Sequence, residues 1–251
     1  MLERDAHLPP APLRVTPLPH PTPPTPLTPT PRPTGEGSHF STGMDLNVFQ
    51  EMLTVAKEES CEGRKREKVL RSIKFFQEAV NAPEFCEKPV LCMLHGNVIG
   101  GAVDLATACD MRYVVNDAIL SVKEVDLGIV ADIGTMQRLP GIVGDQRARE
   151  LTYTGRNFTG EEAVKMGFAL DGFDSLEAME EHVMGVAKMI ASKSPITIRG
   201  IKKVALYVRD HDTEDSLNHV AMHNAAMLFS EDLDKAFDGM MKKKMPEFRG
   251  E

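Results

Sequence analysis

The pattern of apolar and polar positions divides the chain into segments of different predicted structure. From residue 46 to about residue 85, apolar residues recur every three or four positions, and this spacing predicts helix. A polar stretch, residues 62–66, interrupts the pattern, and we expect a loop there. From Pro89 the run VLCMLHG has the composition of a buried central strand.

The middle of the chain alternates between predicted strands and a helix. Gly100 and Gly101 precede AVDLATACD, which predicts a short helix. MRYVV and AILSV predict two further strands, and the turn pair Asn116-Asp117 separates them.

The C-terminal part is predicted to be mostly helical. The sequence TGEE at Thr159 has the form of a capping box, and Gly167 would end the helix that it opens. Ser194 and Pro195 are residue types that begin a helix. Further helices are predicted at residues 176–190, 213–228 and 232–241, so the chain is α/β with a helical end.

Proline is concentrated near the N-terminus. Twelve of the 17 prolines lie between Pro9 and Pro33, and proline cannot donate to a helix or sheet ladder. The composition predicts an extended, solvated tail over residues 1–34, acting as a linker or as a ligand for an SH3- or WW-type domain. We therefore expect this tail, an α/β core over residues 35–193 and a helical region over residues 194–251.

Charge and composition exclude several function classes. Acidic residues outnumber basic ones by 37 to 29, for a net charge of −8, and no basic segment of the kind that binds nucleic acid is present. The apolar runs are shorter than the ~20 residues of a membrane span, and no secretory signal is visible. The four cysteines form no CxxC pair, so we expect reduced thiols in an intracellular protein.

Two patterns that resemble ligand sites are incomplete. His219 and His223 are spaced to share a helix face, but the glutamate of an HExxH zinc motif is missing between them. Gly96, Gly100 and Gly101 form neither a GxGxxG fingerprint nor a Walker loop. We therefore expect no metal site and no nucleotide loop of these kinds.

Three acidic residues stand close together in apolar segments. They are Asp104 in GGAVDLATA, Glu124 after AILSVK and Asp132 in GIVADIGT. Each alone could be a surface carboxylate, and Asp132 could cap the segment IGTMQRL. Because unpaired buried carboxylates are costly, a cluster of three indicates function. Burial and like charges raise carboxyl pKa values, which suits proton transfer.

The glycine pair offers a second chemical feature. Gly100 and Gly101 follow a predicted buried strand and open a helix. Glycine allows a backbone N–H to approach a ligand oxygen, and the helix N-terminus favours negative charge. The pair could form half of an oxyanion hole. Tight packing of helix against strand is the alternative, since it also requires glycine.

These residues lie in a segment that resembles a known superfamily. Residues 88–140, from KPVLCMLHGNVIGGAVDLATACD to GIVADIGTMQRLP, are similar to the core of the crotonase (enoyl-CoA hydratase/isomerase) superfamily. GEGSHFSTGMDL resembles its first oxyanion-loop motif, and RELTYTGRNFTGEEAVKMGF and SKSP resemble its later pattern. Within the superfamily, the acids in VKEVD and VADIGT resemble those of Δ3,5-Δ2,4-dienoyl-CoA isomerases.

The resemblance implies a fold and a set of partners. The fold would be a spiral of ββα units with a helical C-terminal oligomerisation region, forming a homotrimer or homohexamer. The superfamily has strands before the first oxyanion loop, where this sequence has its proline-rich tail, so we expect those N-terminal strands to be missing. The substrate would be a fatty acyl-CoA thioester, with no metal or redox cofactor, and the compartment peroxisomal or mitochondrial.

The resemblance also implies residue roles. The backbone N–H groups of Met44 and Gly101 would hold the thioester oxygen, Glu124 would exchange a proton at C2 and Asp132 at C6. Asp104 would polarise or hold the acid cluster. The apolar neighbours of Asp132, residues 129–131 and 133, would keep water out. The alternatives are an enoyl-CoA hydratase and a catalytically impaired binding protein of the same fold.

Overall fold

The computed structural model describes residues 32–249. The predicted proline-rich tail lies outside the described residues except for its last three positions. Its roles as linker or ligand therefore stay predictions. Within the described range, no helix is both long and apolar enough to cross a membrane.

Two small sheets form the centre of the described fold. In the first, β1 (Leu91–Leu94), β3 (Met111–Val115) and β6 (Asp171–Phe173) are parallel, in the order β1-β3-β6. In the second, β2 (Asn97–Ile99) is parallel to β4 (Ile119–Ser121), and β4 is antiparallel to β5 (Phe158–Thr159). The first four strands thus alternate between the sheets, as expected for ββα units.

The first change of sheet comes at the end of the run VLCMLHG, which the sequence predicts as one strand. All four residues of β1 are buried, as the apolar composition implies. The chain then turns at Gly96, whose φ is +55°, and enters the other sheet. A Cβ on Gly96 would collide with the backbone of Ser38, so both the conformation and the space require glycine there.

Helices surround the sheets. The 3-10 helix Glu124–Leu127 follows β4. The α-helices in the described range are α1 (Leu46–Lys57), α2 (Glu62–Phe85), α3 (Gly101–Ala108), α4 (Thr135–Val143), α5 (Asp145–Thr154), α6 (Gly160–Lys165), α7 (Leu176–Ala191), α8 (Pro195–Asp210), α9 (Thr213–Met227) and α10 (Glu231–Lys242).

Several predicted boundaries are confirmed. Thr159 caps α6 by accepting from the N–H of Glu162, and Gly167, with φ +80°, follows the end of that helix. Ser194 caps α8 by accepting from the N–H of Thr197. The short strands β5 and β6 were not predicted, because two or three residues carry too little periodicity.

The predicted loop at residues 62–66 is wrong. Helix α2 begins at Glu62, and the break between α1 and α2 is residues 58–61. Glu62 forms ion pairs with Lys65, at 2.5 Å, and with Arg66, at 3.9 Å. Charged residues at these spacings support a solvated helical turn, so polarity alone did not indicate a loop.

Candidate active site

Asp104 lies fully buried on α3, which opens at Gly100 directly after β2. Its Oδ1 accepts a hydrogen bond of 2.5 Å from the N–H of Thr135, the first residue of α4. Its Oδ2 is buried without a hydrogen-bond partner among the described residues. Burial raises the pKa of Asp104, and the charge of Asp132 raises it further, while the bond from Thr135 opposes the shift. One oxygen is thus held by the fold, and the Asp104 carboxyl group also influences the pKa of Glu124.

Glu124 begins the 3-10 helix after β4 and contacts the opening of α3. Its Oε1 lies 3.2 Å from the position that a Cβ would take on Gly100, so this glycine leaves room for the carboxyl group. Its Oε2 is buried and lacks a hydrogen-bond partner in the described structure. Burial raises the pKa of Glu124 to about 7, and the charges of Asp104 and Asp132 add to the shift.

Asp132 lies half-buried in the turn before α4. Its charge raises the pKa of both Asp104 and Glu124, so the fold brings the three predicted acids into one cluster. The alternative role of Asp132 as a helix cap is wrong, because α4 has Gly134 at its N-cap and no side-chain cap hydrogen bond.

The predicted apolar shield around Asp132 is only partly present. Ala131 is buried, and Ile133 is half-buried with its Cδ1 beside Gly101. Ile129 and Val130 are instead 40% and 70% exposed in the single chain. The expectation that all four neighbours exclude water is therefore wrong for this chain alone, because the segment before Asp132 runs along its surface.

The loop that contains Met44 runs beside β2. Ser41 pairs with this strand, accepting from the N–H of Ile99 at 3.1 Å. Gly43 has a φ of +90°, and a Cβ there would lie 2.8 Å from the Ile99 carbonyl oxygen and 3.9 Å from the Gly101 nitrogen. The fold therefore brings the two predicted oxyanion loops together. The convergence of the Met44 and Gly101 N–H groups on one oxygen stays a prediction.

Two groups in this region were not predicted from the sequence. The Gln77 side chain on α2 donates a 2.6 Å hydrogen bond to the main-chain oxygen of Asp132. The backbone N–H of Thr135 holds Asp104. Gln77 lies 55 positions from its partner, and a backbone donor has no side-chain signature, so neither contact left a signal in the sequence.

The side chains of His219 and His223 have different surroundings. The ring of His219 stacks on Tyr207 with centroids 3.8 Å apart, whereas the ring of His223 lies against Gly200. Across residues 32–249, no three His, Cys, Asp or Glu side chains are grouped so that they could hold a metal ion.

Comparison with known proteins identifies the family of the chain. Residues 34–251 match the family model described as enoyl-CoA hydratase/isomerase. The chain is 45% identical over 215 residues to the peroxisomal Δ3,5-Δ2,4-dienoyl-CoA isomerase of Arabidopsis thaliana, covering 86% of this chain and 77% of that protein. It is 39% identical over 212 residues to the mitochondrial Δ3,5-Δ2,4-dienoyl-CoA isomerase of Homo sapiens, covering 84% of this chain and 64% of that protein.

A solved structure confirms the fold. The enoyl-CoA hydratase of Bacillus anthracis superposes with a TM-score of 0.70 at 25% identity, covering 83% of this chain and 90% of the other. The predicted crotonase-like architecture is therefore correct. The chain spans about two thirds to three quarters of the length of the two isomerases.

Proposed function

Since the chain belongs to the enoyl-CoA hydratase/isomerase family, we propose that it converts 3,5-dienoyl-CoA to 2,4-dienoyl-CoA. The observation that carries the proposal is the cluster of three carboxyl groups, two of which have buried oxygens without a partner in the described structure. The likeness to proteins named as dienoyl-CoA isomerases supports the same reaction.

The proposed chemistry moves one proton off the acyl chain and returns one. The Glu124 carboxylate removes a proton from C2, and the electron pair is delocalised over the diene and the thioester as a dienolate. The N–H groups of Met44 and Gly101 stabilise the thioester oxygen as it gains charge. Asp132 enters the step carrying a proton and delivers it to C6, which leaves the double bonds at C2 and C4. Proton exchange with solvent then returns Glu124 to the carboxylate and Asp132 to the acid. These reaction steps need neither a metal nor a redox cofactor.

The environment of Glu124 suits this role. A general base works best when its pKa is near the working pH, and burial brings the pKa of Glu124 to about 7. Asp104 supports this value through its negative charge. Its own Oδ1 is engaged by Thr135, so we assign it to holding the cluster rather than to carrying a transferred proton.

Substitution of the acids tests the proposal. Asp132→Asn should lower isomerisation of a 3,5-dienoyl-CoA by at least about a thousandfold while acyl-CoA binding stays within about twofold, because the amide cannot deliver the proton. Glu124→Gln should do similar damage. Asp104→Asn should do less, since an amide oxygen can still accept from Thr135. The rise in ultraviolet absorbance of the conjugated product measures the rate.

Asp126→Asn, on the exposed side of the same 3-10 helix, is the control and should keep full activity. Near-full activity of Asp132→Asn would overturn the proposal. So would hydration of a 2-enoyl-CoA by the unmodified protein far faster than isomerisation of the diene, which would assign the hydratase reaction instead. Acyl-CoA binding without either reaction would assign a binding protein.

We also propose a homotrimer or homohexamer assembled through the C-terminal helices. Exposed apolar side chains on α8, α9 and α10, among them Ile201, Leu217 and Phe237, support this assembly. A groove of about 520 Å³ between these helices adds to the apolar surface. Light scattering of the full chain at micromolar concentration should give three or six times the chain mass, and a monomer would contradict it.

The names of the relatives support a peroxisomal or mitochondrial location.

A further inference from the structure

We propose that Gln77 is a positioning residue that fixes Asp132 for proton delivery at the far end of the diene. The inference rests on the proposed function and adds to it a residue on α2 that touches no reacting atom. Its basis is the 2.6 Å hydrogen bond from Gln77 Nε2 to the main-chain oxygen of Asp132.

The turn that carries Asp132 is short and is held at both ends. On the α4 side, the N–H of Thr135 donates to Asp104. On the α2 side, Gln77 holds the carbonyl of Asp132 itself. The side chain of Asp132 is therefore attached to a main-chain segment whose peptide groups are fixed, which preorganises the carboxyl group.

The same face of α2 also binds Arg138, on the helix that follows Asp132. Gln77, Asn81 and Glu84 are spaced four and three positions apart, which places them in one row along the helix. Arg138 on α4 donates to Asn81 Oδ1 at 2.7 Å and to Glu84 Oε2 at 2.8 Å. Its guanidinium group lies directly against Gly134, where a Cβ would collide with it.

The three residues of this row have two different roles. Asn81 and Glu84 anchor α4 through Arg138, whereas Gln77 alone contacts the residue that would donate the proton. The Oε1 of Gln77 accepts from Lys74 at 3.1 Å, which orients the amide so that its nitrogen faces Asp132. Loss of the Gln77 donor should therefore displace Asp132 without removing the anchor of α4.

The test uses the full chain with Gln77→Met, which keeps the length of the side chain and removes the donor. The reaction of a 3,5-dienoyl-CoA is followed in deuterated water. We expect kcat for isomerisation to fall about tenfold and KM to change less than about twofold. The dienolate should then return more often to the substrate by reprotonation at C2. The ratio of deuterium exchange at C2 to isomerisation should rise about tenfold.

Gln137→Met is the matched control. Gln137 is exposed on α4, close to the same turn, and this variant should keep both the rate and the exchange ratio of the unmodified protein. If Gln77→Met does not fold, Gln77→Asn, which withdraws the donor by one methylene group, should show the same change in the ratio.

The outcomes separate the inference from the proposed function. If the unmodified protein isomerises the diene but the variant keeps its rate, Gln77 has no positioning role. A lower rate with an unchanged exchange ratio also overturns the inference, since it indicates a general loss of structure. If the unmodified protein does not isomerise the diene at all, the proposed function fails and the inference fails with it.

Discussion

Glu84 and Glu124 are two glutamates in partly or fully buried positions, and their pKa values shift in opposite directions. Glu84 on α2 is 6% exposed, and burial opposes its ionisation, but hydrogen bonds from Arg209 and Arg138 outweigh burial and lower its pKa. No cation within residues 32–249 forms an ion pair with Glu124, and burial raises its pKa to about 7. The partner, more than the burial, decides whether a carboxyl group is structural or reactive.

The two positions also differ in what they connect. Glu84 joins three helices, because Arg138 belongs to α4 and Arg209 to α8. Glu124 instead faces two other acids and keeps one oxygen unpaired among the described residues. The ion pairs of Glu84 stabilise the fold. The surroundings of Glu124 instead disfavour its ionised form, which lowers stability whenever this carboxyl group is charged. Removing each carboxyl group should therefore have opposite effects on stability.

The larger effect is expected at Glu84. Glu84→Leu should lower the free energy of unfolding by about 3 kcal/mol, because it leaves the guanidinium group of Arg138 buried without its counter-ion. Denaturant unfolding measures the change. Glu78→Leu, an exposed position on the same helix, should change it by less than about 0.5 kcal/mol. Equal losses in both variants would show that the buried ion pair adds no stability.

The smaller effect, with the opposite sign, is expected at Glu124. The unfolded pKa of a glutamate, 4.5, lies below the folded value of about 7, so stability falls as pH rises through this interval. Glu124→Gln removes the charge and should stabilise the fold at pH 8 by about 1–2 kcal/mol, a figure reduced for partial exposure. The gain should vanish near pH 4, where both states of the parent are protonated.

Unfolding at the two pH values measures this difference, with the exposed Glu180→Gln as the control that should change little at either. A variant that is less stable than the parent at pH 8 would show that the carboxylate has a favourable partner, and the contrast with Glu84 would be lost.

The sequence predicted the acids of the site better than their supports. Asp104, Glu124 and Asp132 stand out because a charged residue in an apolar segment is rare, and the fold groups them as expected. The contact of Gln77 joins a polar helix face to a main-chain oxygen far along the chain. Such a contact depends on tertiary packing, and no local pattern of residues in the sequence indicates it.

The fold shows the same division between local and tertiary signals. Helix caps at Thr159 and Ser194 were predicted because capping depends on residues three positions apart. The change of sheet at Gly96 was missed, because only two residues separate β1 from β2, and β2 is only three residues long. Only their pairing with different strands distinguishes them.

The alternation between sheets also sets the sequence separation between the paired residues of the first four strands. Leu91 pairs with Met111 and Asn97 with Ile119, partners about 20 residues apart, so one segment of the chain starts both sheets. The entropic cost of closing a loop grows with its length, so pairing over about 20 residues costs less than pairing over a longer separation. Asp104 lies between these pairing strands. The first acid of the site is therefore carried by the part of the chain in which both sheets begin.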